Sequence, residues 1–261
     1  MTGENSFKKY DRVGAYHYEL MESDPLYAAK INKALSMVNP GAIVCDIGCG
    51  DGVFLKYAKE IGAFIAGMDT SKEGIDLARK FSDCEALCVG SANTLPLRTA
   101  SVDLIVMIDV VNYFDDYAGA IREVSRALKK KGNLIIMSPP DVDIKKEKKT
   151  IPDSWQKQVC SIEGLRAVLE ESLKVSEVTF IRKPVLTNLL QIVIYFLRVS
   201  GVLSLLRRII LRKPSRAESD REVETSHVKE SVDINLDYYN LPKSFIKKYE
   251  PLEYIIVAQK V

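Results

Sequence analysis

The run Val44-Cys45-Asp46-Ile47-Gly48-Cys49-Gly50-Asp51-Gly52 limits this chain more than any other stretch. A short β-branched segment leads into it and a helical period follows, so three glycines fall where a strand must turn into a helix. Glycine suits such a turn because it takes left-handed backbone at no steric cost and lets a ligand approach the main chain closely. The placement predicts a nucleotide-like ligand at the end of a strand. A dinucleotide fingerprint wants a further glycine where Val53 stands, and Asp46 and Asp51 put carboxylates where a pyrophosphate would lie. Like-charge repulsion makes that fit poor.

The flanking pattern agrees with a strand-turn-helix unit repeated along the chain. Short β-branched runs predict strands at 43–47, 64–69, 86–89, 104–108, 134–138, 175–182 and 254–259, with helices near 52–61, 72–80, 116–130 and 161–173. That alternation predicts an α/β fold, a doubly wound, mostly parallel seven-stranded sheet of Rossmann-like type over a core of 41–183. The 116–130 helix is expected to end in Lys129-Lys130-Lys131-Gly132, a cationic last turn before a glycine stop. Residues 1–40, with Tyr10, Tyr16, Tyr18 and Tyr27, read as an N-terminal cover, helical from about 25 to 38.

Composition excludes several classes. With 47% apolar and 28% charged residues among 261, and a net charge of +2, the chain is neither collagen-like, a disulfide scaffold nor wholly disordered. It lacks the basic excess of proteins that grip phosphates, so no nucleic-acid partner is expected. Five cysteines are an odd number, and the first residues lack the apolar core of a secretory leader, so the chain reads as cytoplasmic with free thiols. Cys45/Cys49 and Cys84/Cys88 are spaced one residue wider than zinc knuckles, and no metal site is expected.

A ligand with a cationic amino-acid end and no phosphate suits the acids of the glycine turn, and S-adenosylmethionine is such a ligand. Asp69 closes the second strand about 21 residues past Gly48, where a carboxylate can accept both ribose hydroxyls. The alternative, a helix cap, can be met instead by Thr70 or Ser71. Residues 42–183 resemble the class I S-adenosylmethionine-dependent methyltransferases, in particular the small-molecule group typified by ubiquinone and menaquinone methylases. The first motif is the glycine run. Looser ones are Val89-Gly90-Ser91-Ala92-Asn93-Thr94-Leu95-Pro96-Leu97, the run from Val102 through Ile108-Asp109-Val110-Val111-Asn112-Tyr113, and the run from Arg122 to Leu134. The resemblance implies that the Gly48–Gly50 backbone contacts the methionine part and that Asp46 organises the loop near its amino group. It implies that Asp69 binds the ribose and that Ser91, where the family has an acid, receives the adenine amino group. Cys49, Thr70, Ala92 and Ile108 complete the implied cofactor contacts. Family members often carry a histidine where Asn112-Tyr113 stand here.

Methyl transfer is an in-line displacement and needs alignment in a water-poor pocket, with a base only if the acceptor arrives protonated. His227 falls in a charged stretch, which leaves His17 as the candidate base; a surface histidine without a chemical role is the bland alternative. Asp109, Asp141 and Trp155 are further pocket candidates, since each follows a strand end or precedes a helix there. Asp109 joins His17 as a candidate catalytic residue.

Residues 185–206 hold a single charge, Arg198, and residues 216–230 hold eight charges in 15 positions. We read 184–214 as an apolar amphipathic helical insert, 215–233 as a charged linker and 234–261 as a C-terminal segment with the last strand. The insert is long enough to cross a bilayer, but one crossing would part strands of a single sheet. It is therefore expected to contact a membrane surface through 185–212, or to serve as a lid or dimer surface. The reading is a methyltransferase for a small lipophilic acceptor. A soluble-metabolite methyltransferase, a non-catalytic docking module and, more distantly, an oxidoreductase are the rivals.

Overall fold

Two buried strands, β1 (Ile43–Ile47) and β4 (Val102–Ile108), lie side by side and parallel at the middle of the sheet, with Val44, Ile105, Val106 and Met107 shut off from solvent. Such runs lack polar alternation because helices cover both faces. The computed structural model describes residues 16–139, 162–182, 233–237 and 253–261. The chain divides into two units: Met1–Arg182 with Ile234–Val261, and Lys183–Asp233, which apart from Asp233 lies outside the described residues.

On one side of β1 come β2 (Phe64–Asp69) and β3 (Ala86–Val89), both parallel to it. Beyond β4 come β5 (Leu128–Ser138), then β8 (Glu253–Gln259), β6 (Lys174–Arg182) and β7 (Asp233–Asp237), giving the order β3-β2-β1-β4-β5-β8-β6-β7. β8 runs antiparallel to both β5 and β6. The order reverses between β1 and β4, and open α/β sheets bind ligands at the carboxyl ends of the strands flanking such a switch. Because β8 runs the other way, its first residue, Glu253, arrives at that same edge.

All seven expected strands are present, and β7 adds an eighth. It falls where the linker was expected to end, and its signal is the alternation Val232-Asp233-Ile234-Asn235-Leu236-Asp237. The helices are α1 (Tyr16–Ser23), α2 (Pro25–Leu35), α3 (Val53–Glu60), α4 (Lys72–Phe81), α5 (Tyr117–Ala127) and α6 (Ile162–Glu170). α1 was not expected, and it buries none of its residues fully. α2 starts on Asp24, which accepts from Leu26 N at 2.9 Å, with Pro25 in the first position. The expected cationic end of α5 is corrected. The helix stops at Ala127, Leu128 turns extended to pair with Val102, and Lys129 to Lys131 belong to β5. Asp141, Trp155, Cys160, His227, the apolar insert and most of the charged linker lie outside the described residues.

The glycine turn is tied to β2, since Gly48 N and Cys49 N both donate to Met68 O, at 2.6 and 3.1 Å. Gly48 has φ +80°, and a Cβ there would overlap Val110 Cγ1. Gly48→Ala therefore meets both left-handed strain and a clash. In a thermal melt it should lower Tm by about 5 °C or more. Adding Val110→Ala should recover only the steric part.

Candidate functional site

Three carboxylates surround the glycine turn. Asp69, the last residue of β2, accepts from Gly50 N at 2.9 Å with Oδ2 and from Ser71 N at 2.8 Å with Oδ1. Capping of α4 falls to Ser71, whose hydroxyl accepts from Gly74 N at 3.0 Å. A carboxylate offers about four lone-pair positions, so Asp69 keeps capacity for further donors. Asp51 is wholly buried, and its Oδ2 accepts from the His17 main-chain N at 2.8 Å while Oδ1 meets His17 Nδ1 at 3.1 Å. Asp46 is buried in β1, and desolvation, with Asp69 and Asp51 close by, pushes its carboxyl up to about 8. Burial also holds the Cys49 and Cys45 thiols well above their ordinary range, as suits unreactive core cysteines.

The two cover helices close over this turn. The His17 ring stacks on Tyr27, with centroids 5.5 Å apart and planes 18° from parallel. The Lys30 ammonium lies 5.7 Å from the Tyr27 ring centre and donates to Asp109 Oδ2 at 2.5 Å and Glu253 Oε1 at 3.2 Å. Lys30 is 4% exposed. Burial alone would lower its pKa, but the charges and hydrogen bonds of Asp109 and Glu253 outweigh that and raise it. Asp109 has φ +57°, a left-handed conformation that Asp tolerates better than most residues. Lys33 adds a third tie to the sheet, meeting Glu177 Oε1 at 3.1 Å.

Between cover and sheet edge lies a cleft of about 430 Å³. Of the residues expected in the site, His17, Asp46, Gly48, Cys49, Asp69, Ile108 and Asp109 line it. Gly50, Thr70, Ser91 and Ala92 do not: Gly50 acts through its N–H to Asp69, Thr70 and Ser91 are exposed, and Ala92 is buried. They remain close along the strand edge, because Val89 pairs with Asp69 and Gly90 N donates to Asp69 O at 2.9 Å. Sequence reasoning missed Lys30 and Glu253. The signal for Lys30 was a cation between Tyr27, Ile31 and Ala34 on the apolar face of a helix. Glu253 is legible only once β8 is known to run antiparallel.

Known proteins resemble this chain in both sequence and fold. Residues 45–136 match a family model described as a methyltransferase domain. The chain is similar to methyltransferase domains over residues 45–136 and has the class I methyltransferase fold. A human protein named "Probable tRNA methyltransferase 9B" is 30% identical over 139 residues, 51% of this chain and 29% of that protein. The chain thus spans under a third of that relative's length. Demethylmenaquinone methyltransferase of Thermotoga maritima is 28% identical over 149 residues, 54% of this chain and 65% of that protein. In three dimensions the methyltransferase solved with the Haloferax volcanii Trm112 methyltransferase activator superposes with a TM-score of 0.61 at 18% identity, covering 95% of this chain and 94% of that one. At that identity the likeness is one of fold.

A class I methyltransferase fold implies S-adenosylmethionine, and the residues fit it. The left-handed Gly48 brings bare main chain to the cleft, Asp69 has lone pairs for ribose hydroxyls, and the acids complement a cation. Between about pH 4 and 8 the folded chain holds a proton on Asp46 that the unfolded chain releases, so ligand-free stability falls as pH rises through that window. Asp46→Asn should flatten the fall, seen in melts from pH 5 to 9. The cationic cofactor should bind about tenfold tighter at pH 8.5 than at 6.5 in the native chain, and equally at both in the variant, by calorimetry. Lys30→Met removes the ammonium that Asp109 and Glu253 share, and should lower Tm by roughly 10 °C at neutral pH.

Proposed function

We propose that this methyltransferase acts on a small molecule whose body is apolar, reached within the covered cleft. The observation that carries the reading is the lining. Among the described residues, the carboxylates of Asp24, Asp69, Asp109 and Glu253 share the cleft with one lysine, amid Tyr16, Leu20, Leu26, Ile31, Val53 and Phe54. Its volume falls in the range of about 300–1,000 Å³ common for small-molecule sites. A polyanion entering it would meet its own sign of charge, which weighs against a nucleic-acid acceptor even though some relatives are named for tRNA. The apolar run at 185–206 and the quinone-methylase relative support a lipophilic acceptor. Among the described residues no helix is long and apolar enough to cross a membrane.

When bound, S-adenosylmethionine supplies an electrophilic methyl on sulfonium; the acceptor's electron pair forms the new bond and the pair of the broken C–S bond stays on sulfur. The chain's part is alignment and exclusion of water. α1 and α2 wall the cleft, Asp69 orients the ribose end, and His17, fixed in direction by Asp51 and Tyr27, takes the acceptor's proton where there is one to lose.

The test begins with calorimetry of S-adenosylhomocysteine. Binding should be present in the native chain and fall about tenfold or more in Asp69→Ala. Labelled methyl groups offered with a cell extract should then enter the small-molecule or lipid fraction. Labelling of RNA alone would favour the tRNA reading, and no binding at all would favour a non-catalytic module.

A further inference from the structure

Where β4 ends, beside the glycine turn, the cleft holds groups that the cofactor contacts named above leave unused. Asp109 and Asn112 follow β4, and both line the cleft. Asn112 is 3% exposed; its Nδ2 donates to Ser138 Oγ at 2.9 Å, but its Oδ1 has no hydrogen-bond partner among the described residues. Asp109 commits Oδ2 to Lys30, and its Oδ1 likewise has none. Two unsatisfied acceptor oxygens in one short stretch run against the rule that buried polar atoms are paired, and such exceptions persist where something outside the chain supplies the partner. Asp109 also sits in left-handed backbone, a strain that gathers at ligand sites.

Local charge narrows what that partner is. Among the described residues the Lys30 ammonium is already engaged by Asp109 and Glu253, so it is not open to an anionic group of the ligand. Tyr27 and Tyr113 add aromatic wall, and an aromatic face attracts cations and tolerates neutral rings.

We propose that Asp109 and Asn112, backed by Lys30 and Glu253, form the subsite for the polar end of the methyl acceptor, and that this end bears hydrogen-bond donors, a hydroxyl or an amine, and no negative charge. The inference rests on the small-molecule reading and sharpens it: an apolar body with a donor-bearing head. Carboxylate- or phosphate-ended molecules are excluded by the same oxygens that hold donors.

Saturation-transfer NMR of the full chain with benzylamine, benzyl alcohol and benzoate, each with and without saturating S-adenosylhomocysteine, tests it. Benzylamine or benzyl alcohol should bind at least about tenfold better than benzoate, since a site built to accept hydrogen bonds rejects a molecule that cannot donate them. Asp109→Asn, which keeps left-handed tolerance, and Asn112→Leu should each reduce that binding about fivefold or more. S-adenosylhomocysteine affinity and melting temperature report whether each variant is folded. Equal binding of benzoate, unchanged binding in folded variants, or no binding of any of the three would overturn the proposal. Loss of S-adenosylhomocysteine binding in the native chain would instead strike the cofactor reading, and the runs without it still decide the subsite.

Discussion

Asp46, Asp51 and Asp69 crowd around one glycine turn, two of them almost without solvent contact, and the form of the site follows from how their oxygens are satisfied. Asp69 is held by the main-chain N–H of Gly50 and Ser71, Asp51 by main chain and ring of His17, and Asp46 by holding its proton across much of the neutral range. Each solution uses a different resource. The main-chain donors exist because glycines free the turn, the histidine because a helix is laid over it, and the raised pKa because Asp46 is buried beside two other carboxylates. A cationic ligand is the piece of chemistry that such an arrangement leaves room for.

The cover owes its place to charge as much as to apolar packing. At one end His17 reaches Asp51 in the turn, and at the other Lys30 reaches Asp109 and Glu253, with Tyr27 between them touching both side chains. One helical wall thus links the glycine turn, the exit of β4 and the start of β8. All three line the cleft, so contact with a ligand at any of them bears on how the cover sits. A buried pair of this kind adds little stability of itself but penalises every arrangement in which one partner is left alone.

Much of the fold was legible because β-branched runs separated by helical periods admit few other architectures, and the glycine turn was legible because its residue types are dictated by backbone geometry. The strand direction of β8 was not, since an apolar run such as Ile255-Ile256-Val257 reads the same either way; with it went Glu253. Lys129 to Lys131 read as a helix end because charge near a carboxyl terminus is favourable, but pairing of Leu128 with Val102 drew them into β5. Asp69, His17 and Asp109 were visible as chemistry-bearing residues. That Asp109 is shared with Lys30, and His17 with Asp51, depends on contacts 79 and 34 residues apart, which no local pattern carries.

The central claim is that one ligand joins the acidic glycine turn to a cover held by charge. Amide hydrogen exchange of the full chain with and without S-adenosylhomocysteine tests it directly, because protection reports local opening of each segment. The account predicts slower exchange both in the turn, residues 46–52, and in the cover helices, residues 16–35, although the two are distant in sequence. Protection of neither, or of the turn alone with the cover unchanged, would contradict it.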